Sequence, residues 1–301
     1  MNISHASISL MQSQVLSSLI NSPSDTKSND SWASMFSFLV SNGSRFDQLP
    51  TDPISLLAQS SSIKSLSATG RNMALFDPES AYKMMTVINK DDISYKAQFS
   101  ELSQMESCVA HMQGAGQSLS GIELSTGNES IKSRLQAFVT QYNNWVQRFD
   151  PDVQQGGLLA DTQAAKASRF ELEQNVNNRF FGAKDGVHGL SDIGLTIDSN
   201  TKLASLDTAK FDAMLTTNKQ GAVDAVQEFS VNFTKSASLL NSEGNFILKQ
   251  LDNLGRVIHY IADNKDLLQK EFGIGDTAKP TGLVANALAA YNSDLSLKLT
   301  A

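Results

Sequence analysis

The stretch that decides the fold is Glu243–Phe272, EGNFILKQLDNLGRVIHYIADNKDLLQKEF. Ile247, Leu251, Leu254, Ile258, Ile261, Lys265, Leu268 and Phe272 recur at spacings of 4-3-4-3-4-3-4. That is the a/d seam of a coiled coil, apolar except at Lys265. A straight buried helix drifts from a strict seven-residue repeat by about 20° per heptad, so a seam held this long asks for a partner helix along its whole length. A second stretch, Tyr95 to Met112, carries a weaker 3/4 pattern through Tyr95, Phe99, Leu102, Val109 and Met112. The two could pair antiparallel within one chain, or either could pair between copies.

Outward from the seam, the rest of the chain also reads as helix. Asp77-Pro78-Glu79 has the form of a helix start, with an Asp cap, Pro in the first turn and an early acid. It predicts a helix to about Asn89 with Tyr82, Met85 and Ile88 on one face. Asp91-Asp92 then caps a second helix, which carries the weaker pattern and ends near Gly114, Gly116 and Gly121. Ile131, Leu135, Phe138, Val139, Tyr142, Trp145, Val146 and Phe149 form a broad apolar stripe, predicting a helix over about 129–149 stopped by Asp150-Pro151. A helix over about 162–181 follows, with Phe170, Val176 and Phe180 inward and Gly182 as its cap. Asp207 caps a short helix to about Thr217, and another runs from about Lys219 to Leu240.

One stretch alternates as a strand does. Ile193, Leu195 and Ile197 are separated by Gly194 and Thr196, Asp198-Ser199-Asn200 turns the chain, and Leu203–Leu206 returns. A calcium loop beginning at Asp198 would need Gly where Leu203 stands and Glu where Ala209 stands, so this is a hairpin turn. The fold class is therefore mainly α: a long antiparallel helical bundle or coiled coil with a small β-hairpin subdomain.

Composition narrows the function. The 301 residues hold 24 Lys+Arg against 31 Asp+Glu, a net charge of −7, which argues against nucleic acid and against an anionic membrane surface as partner. One cysteine, Cys108, excludes an intrachain disulfide and any multi-cysteine metal site. The four histidines have no metal-ligand spacing, and His111 and His259 read as surface or interface residues. There is no nucleophile elbow, no phosphate loop and no zinc-protease motif, and Gly114-Ala115-Gly116 follows no strand. No catalytic residue, cofactor or metal is expected. No run reaches the roughly 18–20 apolar residues of a membrane span, and Met1–Ile20 lacks the basic start and apolar core of a Sec signal. Ser fills 20 of the first 70 positions, so residues 1–70 read as a flexible arm, or alternatively a loosely packed helical subdomain.

Several runs carry a family resemblance. Leu190-Ser-Asp-Ile-Gly-Leu-Thr-Ile-Asp198, then Lys202–Asp207, then Ala209–Leu215 resemble the C-terminal region of the flagellar hook-associated protein 2, or filament-cap, family. That family shows an "L-x-D-I-G-(I/L)-T-x-D" strand, a turn, an "L-x-L-D" strand, a helix and a polar turn. Thr217-Asn218-Lys219 stands at that turn, and Ala222–Val226 follows where the family has "AV-x-x-LF". Ile131–Asn143 is similar to its "I-K-x-F-V-x-A-Y-N" helix, and Gly157-Leu158-Leu159-Ala160-Asp161 to its "G-x-L-L-G-D" loop. The order of these pieces agrees across about residues 129–272.

The resemblance implies a non-enzymatic axial structural protein of the bacterial flagellum, secreted through the type III export route without a Sec signal and assembling as an oligomer by helix packing. Implied partners are further copies of itself, axial proteins at the hook–filament junction or flagellin, and an export chaperone. The β-rich head domains that lie between the family's N-terminal coiled-coil helix and its "Y-N" helix are reduced here to about residues 118–129. On this reading residues 1–70 are the arm, 71–272 a headless leg and proximal domain, and 273–301 a C-terminal tail. Ile247, Leu251, Leu254, Ile258, Ile261, Leu268 and Phe272, with Tyr95, Phe99, Leu102 and Val109, are the expected helix-pairing residues. The alternative is a cytoplasmic regulator or chaperone-like module that binds axial or export proteins.

Overall fold

The longest element begins where Asp77 accepts a hydrogen bond from the Ser80 amide (3.1 Å) and Pro78 occupies the first turn. In the computed structural model, which describes residues 66–179 and 185–300, helix α1 then runs unbroken over Pro78–Leu119. The expected arm over residues 1–65, and Phe180 and Gly182 at the end of a predicted helix, lie outside the described residues. All described residues fall within one compact unit, Ile63–Ala301.

The two helices predicted before and after Asp91-Asp92 are one. Neither aspartate breaks the helix, because nothing in Asn89–Asp92 removes a backbone donor. Asp92 instead pairs within α1 with Lys96, one turn on, at 2.6 Å. The helix also passes through Gly114 and Gly116, each of which costs an exposed helix about 1 kcal/mol relative to Ala. Packing at Gly116 offsets that cost, as described below.

Helix α2, Asn128–Val153, carries the predicted stripe inward: Ile131, Leu135, Phe138, Tyr142, Trp145, Val146 and Phe149 are all buried. It continues past the expected stop, with Pro151 inside its last turn. There the missing N–H forfeits a single bond, and the turn closes through the Gln154 amide on the Asp150 carbonyl (3.1 Å). Helix α3, Gln163–Asn177, is capped by Thr162 and ends earlier than predicted, because Asn178 turns extended. Leu172 and Val176 face inward, but Phe170, expected on that face, is 61% exposed.

Strands β1 (Leu195–Ile197) and β2 (Ala204–Leu206) form a two-stranded antiparallel sheet with Leu195 opposite Leu206. The Asp198 carboxylate closes the turn, accepting from the Asn200 and Thr201 amides (2.9 and 2.7 Å). These bonds hold its pKa below the usual carboxylate value. Gly194 enters β1 with φ +95°, and a Cβ there would stand 2.9 Å from the Asp207 carbonyl oxygen, so the hairpin's close start requires glycine.

Helices α4 (Thr208–Thr217) and α5 (Lys219–Leu240) share Asn218, which ends one and caps the next through the Gly221 amide (3.0 Å). Helix α6, Phe246–Phe272, holds the seam, and helix α7, Gly282–Thr300, follows an extended connection. No described helix is long and apolar enough to cross a membrane.

The architecture follows from the length of α1. Its 42 residues span about 63 Å at 1.5 Å per residue, longer than any other described helix can cover. Two consecutive helices cover it instead, α5 along its C-terminal part and α6 along its N-terminal part, both antiparallel to it. Three hydrogen bonds mark the register: Ser230 Oγ to the Gly116 carbonyl, Asn241 Nδ2 to the Glu106 carbonyl, and Asn72 Nδ2 to the Lys270 carbonyl. Helix α7 packs along α1 as well, and α2 joins from another side. The hairpin, α3 and α4 complete a module around α2 and α5. At its centre Phe138 of α2 meets Phe229 and Phe233 of α5 edge-on, with ring centroids 5.0 Å apart in both pairs.

Candidate helix-pairing interface

The apolar positions of the α6 seam from Ile247 to Leu268 are buried against its own chain. Ile247, Leu251, Leu254, Ile258, Ile261 and Leu268 are all below one-tenth exposed, and Val257 widens the stripe beside Ile258. Lys265, the polar position in the repeat, is exposed, and Phe272 at the end is half-buried. The apposed face of α1 places Leu102 and Val109 at 0% exposure, with Met105 and Met112 between and beyond them. Tyr95 and Phe99 are half-buried on the same helix. Burial lifts the Tyr95 hydroxyl pKa to about 12, so it stays a neutral apolar-bodied side chain at any physiological pH.

Phe99 is the residue that brings three helices together. Its ring meets Tyr291 of α7 edge-on, centroids 5.9 Å apart. A Cβ on Gly255 of α6 would lie 3.8 Å from the same ring, within van der Waals contact. Gly116 plays the matching part at the other end of α1. A Cβ there would fall 2.7 Å from the Phe233 ring, so the absence of a side chain lets α5 settle against the backbone.

The C-terminal end of the seam is tied by polar groups that no periodicity reveals. Asn72, 2% exposed, donates its amide to the carbonyls of Lys270 and Glu271, both at 3.0 Å, closing the C-terminus of α6. The following strand of chain is laced to α1: the Asn89 amide donates to the carbonyls of Ile274 and Asp276, and Tyr82 donates to the Asp276 carboxylate at 2.9 Å. Near the middle, Arg148 of α2 reaches Glu101 and Gln104 of α1 at 2.6 and 2.7 Å. It also holds Asp152 on its own helix at 3.1 Å. The Cys108 thiol, one face away, is pushed up in pKa by burial, which suppresses the reactive thiolate.

Asn143 fixes the hairpin to the bundle. Its side-chain oxygen accepts from the Ala204 amide at 2.7 Å, and its side-chain nitrogen donates to the Ala204 carbonyl at 2.9 Å. A side-chain amide thus pairs with the edge of β2 as a third strand would. This residue was visible in the sequence only as the last letter of the "Y-N" motif. Gly116 was visible only as a helix-ending glycine, and Asn72, Glu101 and Arg148 carried no signal.

These features define a class: a helical packing protein whose long antiparallel leg is joined to a small hairpin module. Residues 112–282 match the family described as flagellar hook-associated protein 2 C-terminus, and the chain belongs to that family. The match includes the 129–272 stretch that carries the motifs and extends on both sides of it. No curated protein matches the chain. Among solved structures, the crystal structure of the flagellar cap protein FliD D1-D2-D3 domains from Escherichia coli is similar over 42% of this chain and 37% of that one. The two are 18% identical with a TM-score of 0.38. The chain therefore spans well under half of that relative.

Proposed function

We propose that this chain is a non-enzymatic axial structural protein of the flagellum, resembling the filament cap, exported without a Sec signal and acting outside the cell. The observation that carries this reading is the family match over residues 112–282, which takes in the hairpin module and all of α6. On this proposal residues 71–272 are a leg and proximal domain, 1–70 the arm that leads it through export, and 273–301 a tail. Helix α1 passes to α2 through Ser120–Gly127 alone, in the place where the cap family carries its head domains. The chain then works as a headless leg that associates with its own copies and with flagellar axial proteins through its long amphipathic helices.

Two experiments test it. Leu254→Asp places a carboxylate at a position 5% exposed, which costs more than about 4 kcal/mol unless the helices separate. The expected result is loss of helicity by circular dichroism together with loss of assembled mass by light scattering. If both stay at wild-type values, the seam does not hold the leg. Immunoblots of sheared flagella, culture supernatant and cytosol address location, with the protein expected in the first two.

The short α1–α2 connection also favours a second reading, since a protein without the head lacks that surface for subunit handling. In that reading the chain is a cytoplasmic regulator or chaperone-like module that binds axial or export proteins. Protein confined to the cytosol would select it over the first.

A further inference from the structure

Two carboxylates and one guanidinium meet where α1 crosses α2, and their charges do not balance. Glu101 is 6% exposed and Asp152 is 1% exposed. Arg148 binds one oxygen of each, Glu101 Oε2 at 2.6 Å and Asp152 Oδ2 at 3.1 Å, and its own side chain is 39% exposed. With all three ionised the cluster carries a net charge of −1 in a largely dry contact. Asp152 Oδ1 is fully enclosed and has no hydrogen-bond partner. A buried acceptor without a donor is costly, more so when charged. Arg148 holds Glu101 through Oε2.

We propose that Glu101 holds a proton in its cluster with Asp152 and Arg148, which makes the α1–α2 contact a clamp that tightens as the medium acidifies and slackens as it turns alkaline. The proton neutralises the surplus charge and supplies the donor that the cluster lacks, so the Arg148 pair becomes one cation facing one anion. Among the described residues, the charged groups acting on Glu101 are Arg148 and Asp152, both from α2. No hydrogen bond or ion pair reaches it from α5, α6 or α7. On α3, Arg169 is engaged by Asp150 at 3.4 Å, and on α1 the Cys108 thiol lies in the field of Arg148. Burial is the largest influence on Glu101 and raises its pKa, Arg148 lowers it, and Asp152 raises it again, with the net direction upward.

The sign follows from linkage. Between the ordinary glutamate pKa and the raised one, the folded protein binds more protons than the unfolded chain, so stability falls as pH rises through that window. The test uses the full chain labelled with 13C at glutamate side chains, the Glu101 signal being assigned by its absence in Glu101→Gln. Its carboxyl carbon should titrate above the exposed glutamates, and Asp152→Asn should return it towards their range. The thermal midpoint of the wild type should fall with rising pH through the same window, and Glu101→Gln should make that fall shallower. A Glu101 signal titrating with or below the exposed glutamates would overturn the proposal. So would an equal pH slope in wild type and Glu101→Gln.

Discussion

At the scale of single residues, the decisive groups are small polar side chains and glycines that satisfy or admit backbone. Asn143 is the clearest case, since one amide pairs with both the N–H and the carbonyl of Ala204, a residue 5% exposed. Asn143→Ala leaves both backbone groups without partners in a place water reaches poorly. The expected loss is about 2–3 kcal/mol in urea denaturation, because each buried unpaired group costs about 1–3 kcal/mol. Asn143→Asp tests the donor separately. It keeps the acceptor for the Ala204 amide but sets a carboxylate against the Ala204 carbonyl, and should destabilise at neutral pH with partial recovery in acid, as protonation restores a donor. If Asn143→Ala unfolds at the wild-type midpoint, the amide does not hold the hairpin. Gly116 belongs to the same scale. Gly116→Ala drives a methyl group to 2.7 Å from the Phe233 ring, and overpacking of that kind costs about 1–3 kcal/mol even though alanine is the better helix former.

At the scale of elements, what the sequence made legible was whatever repeats. The α6 seam, the α2 stripe and the β1–β2 alternation each place several side chains on one face, and periodicity reads faces. Thr208–Thr217 and Lys219–Leu240 were legible from their caps, Asp207 and Asn218, which compete for the first free amides of a helix. Continuity was not legible. Asp91-Asp92 and Pro151 look like boundaries when each is weighed alone, but a helix already held along its length by partners tolerates a cap-forming residue or a lost bond. Phe170 failed for a related reason: its spacing fits the α3 stripe, but packing places its ring in solvent. The tail was opaque too, because among the described side chains of α7 only Ala287 is deeply buried, and its apolar residues run around the helix without a stripe. Helix ends closed from a distance were out of reach altogether, and Asn72 is the example. It stands about 200 residues in sequence before the carbonyls it caps, a separation of 198 to Lys270. Asn72→Ala should leave the last carbonyls of α6 unpaired, lowering stability by about 1–3 kcal/mol. Hydrogen exchange should then quicken over the final turn of α6, from about residue 268, while Ile247–Leu254 keeps its protection. Uniform quickening along α6 would instead mean that Asn72 supports the whole bundle.

At the scale of the whole described unit, α1 is the common partner of α2, α5, α6 and α7, so none of these four can leave without exposing part of it. The hairpin module is bound into the same core through the Phe138, Phe229 and Phe233 cluster and through Asn143. This connectivity predicts one cooperative transition rather than separate melting of leg and module. The two can be watched independently. Far-UV circular dichroism follows mostly the long helices, whereas Trp145, 4% exposed on α2, reports the module. Its fluorescence is isolated by Trp32→Phe, a position outside the described residues. The two denaturation curves should superimpose. Phe99→Ala, which opens the joint between α1, α6 and α7 far from Trp145 in sequence, should lower both midpoints equally, by an amount equivalent to about 3 kcal/mol. If the dichroism midpoint fell while the tryptophan curve held its place, the leg would be an independent folding unit and the long helix would not couple it to the module. Coincident shifts would show that the seam read from sequence spacing stabilises a hairpin with which it shares no repeat, through a single helix common to both.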